Sequence, residues 1–214
     1  MFNIAGRAFV FAIAMTIAAG QSPKLHEYAL GAVTVIIPPP EGFEDASTRQ
    51  EVRDRFPASD KVDTLAIHLP ASVMRTFDPE QDLTFYTQVA VAKASKTDDM
   101  PASMIAEFAE RFAKGEMPDQ KKQLAELAAR GWRITESLNL GVFDRTPSSF
   151  SGLLLSGLSV EGKSANILRS TSLIHLKARI VNVFVFRKFE TEADRTVVED
   201  FTKTWVRRII AANP

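Results

Sequence analysis

The sequence predicts an α+β fold in which a mostly antiparallel sheet packs against helices and a C-terminal amphipathic helix closes the structure. Two observations predict it. Short apolar runs recur along the chain, and part of each run carries polar residues at alternate positions, as half-exposed antiparallel strands do. The end of the chain instead spaces Val198, Phe201, Trp205 and Ile209 three or four positions apart, which is the period of one helix face.

The first 20 residues predict a signal peptide. A single positive charge at Arg7 precedes an uncharged apolar run over residues 8–19, and small residues up to Gly20 would let a peptidase cut before Gln21. An uncleaved membrane anchor is the alternative, although the run is shorter than the roughly 18 to 20 residues that span a bilayer. We therefore expect residues 21–214 to form a single α+β domain that is periplasmic or secreted, and not an integral membrane protein after cleavage.

The composition excludes several classes of site. The chain has no cysteine, which removes disulfides, thiolate metal ligands, a cysteine nucleophile and the lipid-bearing cysteine of a bacterial lipoprotein. Lys and Arg balance Asp and Glu at 26 each, so no basic surface for nucleic acid is indicated. The domain must be held together by packing alone.

The first half of the chain predicts three strands. Residues 21–31 look like a mobile start, and an alternating strand then begins at Val33 and ends before Pro38, because proline cannot donate to a ladder. Residues 62–69 and 83–92 give the second and third strands.

Helical spacing follows these strands. A helix is predicted over residues 101–114, with Pro101 in its first turn and Gly115 just after its end. A second, weaker helix is predicted over residues 118–130. The apolar residues that share one face of the first helix are Met104, Ile105, Phe108 and Phe112.

The second half returns to strands, over residues 132–143, 150–160, 167–176 and 179–189. The last of these is apolar on one face almost to its end, which predicts a central position in the sheet, and Lys177 and Ala178 would form the turn before it. Thr191 is predicted to cap the closing helix together with Asp194, and Trp205 to be buried against the sheet.

Residues 157–164 read GLSVEGKS and match the P-loop pattern G-x-x-x-x-G-K-[ST]. A working P-loop needs a helix after the match and a later acidic residue that helps to hold Mg²⁺. The following residues are rich in Ser and Thr, which favour caps and turns over helix interiors, and the strand downstream ends in Arg187 and Lys188. The residues that would bind phosphate are Gly157, Gly162, Lys163 and Ser164.

The same eight residues also predict a β-hairpin. With Glu161 and Gly162 at the turn, Val160 faces Lys163, and Gly162 allows a positive φ at low steric cost. We expect this hairpin, with Lys163 in solvent, and we keep nucleotide binding as the alternative.

No catalytic group assembles in the sequence. His26 lies in the expected mobile start, whereas His68 and His175 lie on strands, and a metal site would need carboxylates from distant strands. The nucleophile elbow of a serine hydrolase, G-x-S-x-G, is not present. We therefore assign no catalytic, cofactor or metal residue, and a noncatalytic protein is favoured over an enzyme.

Two stretches carry a resemblance to a known family. In VTVIIPPPEGF near the start and IVNVFVFRKFETEADRTVVEDFTKTWVRRII at the end, the chain resembles the PsbP-like group, which includes periplasmic DcrB-like proteins and a Ran-binding nuclear transport adaptor. The resemblance implies an antiparallel sheet between helices and a noncatalytic role in binding or assembly. The chain departs from the group in its helical insert at residues 100–130 and in lacking a lipid-bearing cysteine.

These observations predict an exported, noncatalytic binding or assembly protein of the bacterial cell envelope. Its partner would be an envelope protein or another periplasmic component, contacted through a sheet face or through the edge at residues 38–43. The alternatives are a nucleotide-binding protein that uses GLSVEGKS, and a carrier of a small apolar ligand held between the sheet and the closing helix.

Overall fold

The computed structural model describes residues 26–56, 61–78, 81–116, 132–160 and 163–214. The expected signal peptide and the expected helix at 118–130 lie outside these residues, as do Glu161 and Gly162.

The described residues form two sheets and four α-helices. The strands are β1 (Glu27–Leu30), β2 (Val33–Ile36), β3 (Phe43–Asp45), β4 (Val62–Pro70), β5 (Phe85–Ala92), β6 (Trp132–Thr146), β7 (Ser149–Val160), β8 (Lys163–Leu176) and β9 (Arg179–Lys188). The helices are α1 (Gln50–Arg55), α2 (Ala71–Arg75), α3 (Ser103–Ala113) and, at the C-terminus, α4 (Glu192–Ala211). A seven-stranded sheet has the order β3-β4-β5-β9-β8-β7-β6, every pair in it is antiparallel, and β1 and β2 form a separate hairpin. The α+β prediction is confirmed.

Strand β9 lies at the centre of the seven-stranded sheet, between β5 and β8, as its apolar face predicts. Val181, Val183 and Val185 on that face have no exposed surface. The turn from β8 into β9 is formed by Lys177 and Ala178, which both adopt positive φ, at 49° and 62°. These are the φ values of a tight hairpin turn, and they are unusual for side chains other than Gly or Asn.

Helix α4 covers one face of this sheet. Val198, Trp205, Val206 and Ile209 lie 0–1% exposed in the cluster that also holds the β9 valines. These side chains fill the interface between the sheet and the closing helix, which is where a carrier pocket was expected. Within the described residues, no helix is both long enough and apolar enough to span a membrane.

The start of α4 is fixed by the predicted cap. The Asp194 carboxylate accepts backbone N–H groups from Glu190 at 3.0 Å and Thr191 at 2.9 Å. It also accepts the Arg187 Nε–H at 2.7 Å. These bonds favour the ionised carboxylate and lower the pKa of Asp194 to about 2. These bonds fix the connection between β9 and the first turn of α4.

The expectation of a mobile start is wrong for residues 27–30. They form β1, which pairs with β2 so that Tyr28 faces Val35 and Leu30 faces Val33. Gly31, at φ +62°, permits the turn between the two strands, and Leu30 is fully buried under the sheet. A four-residue strand is too short to give a clear alternation signal in sequence.

Helix α3, predicted over residues 101–114, is present at Ser103–Ala113 and covers part of the opposite sheet face. Ile105, Ala109 and Phe112 pack against Phe150 and Leu154 of β7. Phe112 lies directly over Gly152, where a Cβ atom would overlap its ring. Helices α1 and α2 cover the other end of the same face through a separate cluster, and the sequence did not predict either helix.

Both edges of the seven-stranded sheet are poorly suited to adding another strand. Strand β3 is three residues long, and the ladder between β6 and β7 is interrupted by three register shifts. Short edge strands and bulges are common ways to prevent edge-to-edge pairing.

Candidate functional site

The edge at residues 38–43 is a tight, anchored turn. Phe43 N–H donates to the Pro40 carbonyl at 3.1 Å, and Gly42 adopts φ +74° between them. That positive φ at the third position of the turn favours glycine. The Trp205 Nε1–H donates to the Pro38 carbonyl at 2.8 Å, so the closing helix holds the proline run in place.

An aromatic cluster supports this turn from one side. The rings of Phe43, Phe85 and Phe201 lie with all three pairs of centroids 5.0–5.1 Å apart. The Arg187 guanidinium lies 5.1 Å from the Phe85 ring centroid, a distance at which a cation is attracted to the ring face. All three phenylalanines are half-buried, so the cluster reaches the surface.

A groove of about 400 Å³ opens at this place. Its walls are mostly apolar. Arg208, from the last turn of α4, contributes a guanidinium group, and Glu41 contributes an exposed carboxylate. The residues that line it are Pro39, Pro40, Glu41, Gly42, Phe43 and Arg208.

The structure thus places Arg208 beside the turn at residues 38–43, which the sequence indicated as a partner-binding surface. Arg208 lies in the last turn of α4, where a positive charge also complements the helix dipole. The helical spacing Phe201, Trp205, Arg208 is the signal that could have found it, because it places all three on neighbouring parts of one helix face.

A cluster of polar side chains lies where the start of β1 meets the end of β3. His26 Nδ1 lies 3.4 Å from an oxygen of the Asp45 carboxylate, and the Tyr28 hydroxyl also bonds to that carboxylate. Burial, reinforced by the negative charge of Asp45, raises the pKa of Tyr28 above its ordinary value. His26 therefore has a fixed partner and lies at the start of an ordered hairpin.

His68 lies deeper in the same region. Its Nδ1 is 3.0 Å from Thr87 Oγ1, and its ring meets Trp205 edge to face. Burial lowers the pKa of His68 to about 4, against a smaller upward effect from Asp45. The imidazole is therefore neutral at pH 7.

His68 and Thr87 are side chains of the types that serve as a general base and as a hydroxyl nucleophile, respectively. Neither side chain has any exposed surface, so a substrate cannot reach the Thr87 oxygen. The geometry supports a structural role for both residues.

His175 is separate from His68. It alternates along β8 with Ile174 and Leu176, which face α4, so it points to the opposite side of the sheet from His68. Its Nε2 lies 2.7 Å from the Met100 carbonyl oxygen. Among the described residues, no three His, Asp or Glu side chains are grouped so that they could hold a metal ion.

The GLSVEGKS match lies between two antiparallel strands. Val160 pairs with Lys163, Leu158 with Ala165 and Ser156 with Ile167, so the predicted hairpin pairing is confirmed. Lys163 and Ser164 belong to a strand, where a P-loop would require the first turn of a helix. Gly157 lies within β7, and a Cβ atom there would meet Thr135 Oγ1 of β6 at 2.5 Å.

Comparisons with known proteins give structural neighbours only. No family model matches the chain, and no curated protein matches it. Among solved structures, the Ran-binding protein Mog1p of Saccharomyces cerevisiae is similar at 14% identity and a TM-score of 0.38, covering 89% of this chain and 95% of that one. The cyanobacterial PsbP of Synechocystis is similar at 11% identity and a TM-score of 0.36, covering 91% and 94%. At these identities and TM-scores the likeness adds nothing to the chemistry of the site.

Proposed function

We propose that this protein is an exported, noncatalytic binding or assembly protein, and that the groove at residues 39–43 and Arg208 holds a segment of a partner protein of the cell envelope. The observation that carries the proposal is the groove itself, in which an anchored proline turn and a partly exposed aromatic cluster lie beside a guanidinium group.

The groove favours a particular partner chemistry. Pro39, Pro40 and Phe43 offer apolar surface to an aliphatic or aromatic side chain. Arg208 offers a planar donor group that pairs well with a carboxylate. A partner segment with an apolar residue beside an Asp, a Glu or a C-terminal carboxylate fits both features.

The turn is organised before any partner binds. Gly42 has no heavy atom near its missing Cβ position, and its carbonyl accepts the Ala71 N–H at 2.9 Å. Together with the Trp205 bond to Pro38, this leaves little backbone entropy to be lost on association. A fixed turn of this kind suits recognition of another protein.

Three features support a noncatalytic role. The base and hydroxyl pair at His68 and Thr87 has no exposed surface, His175 is bonded to a backbone carbonyl, and the described residues of GLSVEGKS lie on paired strands. The proposal of export rests on residues 1–20 alone, with their single charge and apolar run.

Binding is tested by charge reversal. The purified protein, its Arg208→Glu variant and its Arg207→Glu variant are immobilised, and the envelope proteins that each retains are quantified by mass spectrometry. We expect at least one protein to be retained by the wild type and by Arg207→Glu but lost with Arg208→Glu. Arg207 is a matched control because it is the adjacent arginine, is two-thirds exposed and lies 3.7 Å from Asp144 instead of in the groove.

Retention of the same proteins by all three forms would overturn the proposed surface. Export is tested separately by fractionation and N-terminal sequencing, where a mature chain that begins at Gln21 in the periplasm or medium is expected. A full-length chain in the cytoplasm contradicts export but leaves the binding result to be judged by itself.

A further inference from the structure

The sheet face opposite α4 carries a row of aromatic and polar residues between the clusters under α3 and α1. Tyr86 of β5, Phe186 of β9 and Arg169 of β8 face one another in one cross-strand row. Phe184 of β9 and Thr171 of β8 face each other in the next row. We refer to these five residues as the Arg169 patch.

Two polar atoms of the patch are buried without a hydrogen-bond partner. They are the Arg169 Nε and the Thr171 Oγ1. The two residues are separated by one position on β8, so both side chains stand on the same sheet face. Buried polar groups are nearly always bonded, so two atoms without a protein partner on the same strand and sheet face mark this patch as a candidate ligand site.

Arg179, which is buried elsewhere in the fold, shows an arginine whose guanidinium is paired. Arg179 is 3% exposed, and its guanidinium pairs with the Asp99 carboxylate and donates to the carbonyls of Leu30 and Ala178. Arg169 forms no ion pair with any carboxylate in the described parts of the chain. Burial lowers the pKa of Arg169, with only the Tyr86 hydroxyl acting against it.

Two positive side chains act on the Tyr86 hydroxyl of the patch. Arg169 and Arg55 both lie within electrostatic reach of the Tyr86 hydroxyl, whose pKa burial nevertheless raises. Arg55 is held by its bond to the Gln81 carbonyl at 2.8 Å. A negatively charged group placed here would meet two guanidinium groups.

The same patch has a flat apolar surface. The rings of Tyr86 and Phe186 stack with centroids 4.6 Å apart and planes 12° apart, and the Phe184 ring lies 6.2 Å from Phe186. Phe184 and Phe186 are half-buried, so their outer faces stay open to contact.

We propose that the Arg169 patch binds a small organic carboxylate with an apolar body. The Arg169 side chain is partly exposed and can shift outward, which admits the carboxylate between Arg169 Nε and Thr171 Oγ1, both of which donate to it. The apolar body lies along Phe184 and Phe186. A neutral apolar molecule leaves the guanidinium uncompensated, so the charge of the ligand decides its affinity.

Calorimetric titration with decanoate, and with decanamide as its neutral counterpart, tests the proposal on the purified protein. We expect saturable decanoate binding with one site per chain and at least tenfold weaker binding of decanamide. Arg169→Met is expected to weaken decanoate binding at least tenfold, and Thr171→Val to weaken it severalfold. Arg145→Met, which removes an exposed arginine paired with Glu110, is expected to leave it unchanged.

Thermal unfolding gives a readout that does not depend on the choice of probe. Without ligand, Arg169→Met is expected to unfold at a higher temperature than the wild type, because it removes a charged group whose buried Nε has no hydrogen-bond partner. Decanoate is then expected to raise the unfolding temperature of the wild type and not that of the variant. A lower unfolding temperature for Arg169→Met without ligand means that a group of the chain already neutralises Arg169, and equal binding of decanamide means that the patch is merely apolar; either result overturns the proposal.

Discussion

Trp205 and Pro38 are joined by a hydrogen bond of 2.8 Å between the indole N–H and the proline carbonyl, across 167 positions of sequence. The bond ties the closing helix to the turn that carries the candidate groove. Because both residues are buried, the carbonyl has no access to water as an alternative partner.

Replacement of Trp205 by Phe is therefore expected to cost about 1–3 kcal/mol of unfolding free energy, since it leaves the Pro38 carbonyl without its donor. Urea denaturation measures the loss. An unfolding free energy within about 0.5 kcal/mol of the wild type would mean that the bond contributes little to the anchor.

The buried His68 predicts a dependence of stability on pH. Its folded-state pKa of about 4 lies below the ordinary 6.5, so the unfolded chain binds the extra proton and stability is lost as the pH falls from 6.5 towards 4. The full loss for this one group is on the order of 3 kcal/mol. His68→Gln removes the titration, so the wild type should show a steeper fall of unfolding free energy over this range than the variant, and parallel curves would contradict the assignment.

The contact between Gly152 and Phe112 predicts a compensating pair of substitutions. Gly152→Ala places a methyl group in the space of the Phe112 ring and is expected to cost about 1–3 kcal/mol. In a Phe112→Leu background the same change is expected to cost clearly less, because the ring that it meets is gone. Equal costs in the two backgrounds, measured by denaturant unfolding, would assign the effect to something other than this contact.

The hairpin turn at Ala178 predicts a stabilising substitution. An L-residue at φ +62° costs roughly 1–2 kcal/mol, and glycine avoids this cost at an entropic penalty of roughly 0.5–1 kcal/mol. Ala178→Gly is thus expected to raise the unfolding free energy by about 0.5–1 kcal/mol. Ala32→Gly is the matched control in the β1–β2 turn, where the alanine does not have positive φ, and it is expected to give no gain.

The strand pairing around GLSVEGKS predicts the result of a nucleotide titration. Mg·ATP and Mg·GTP are expected to show no saturable binding, and Lys163→Ala to change neither this result nor the unfolding temperature by a measurable amount. Saturable binding that is lost in Lys163→Ala would revive the nucleotide-binding alternative.

The long elements could be predicted from the sequence because their periodicity is strong. The alternation in β5 and β9 predicted their faces, and their bounds to within two residues. Thr191 with Asp194 predicted the start of α4. The four residues of β1 and the five of α2 are too short to show a period, and they are ordered by their tertiary contacts.

The candidate sites were only partly predictable for a related reason. The run of three prolines marked the turn at residues 38–43, but the approach of Arg208 depends on how α4 crosses the sheet. In the sequence alone, Arg169 and Thr171 look like the exposed polar residues of a half-buried strand. Only the pairing of β8 with β9 brings them beside Phe184 and Phe186, where their missing partners become evident.

The central position of β9 has a consequence for the order in which the protein can assemble. Strands β3 to β5 and strands β6 to β8 meet only through β9, which is the last strand to leave the ribosome. A nascent chain that has not yet released residues 179–188 holds two separate groups of strands and cannot complete the sheet. The sheet therefore cannot close until β9 is available to pair with both β5 and β8, and its closure depends on contacts between distant parts of the chain.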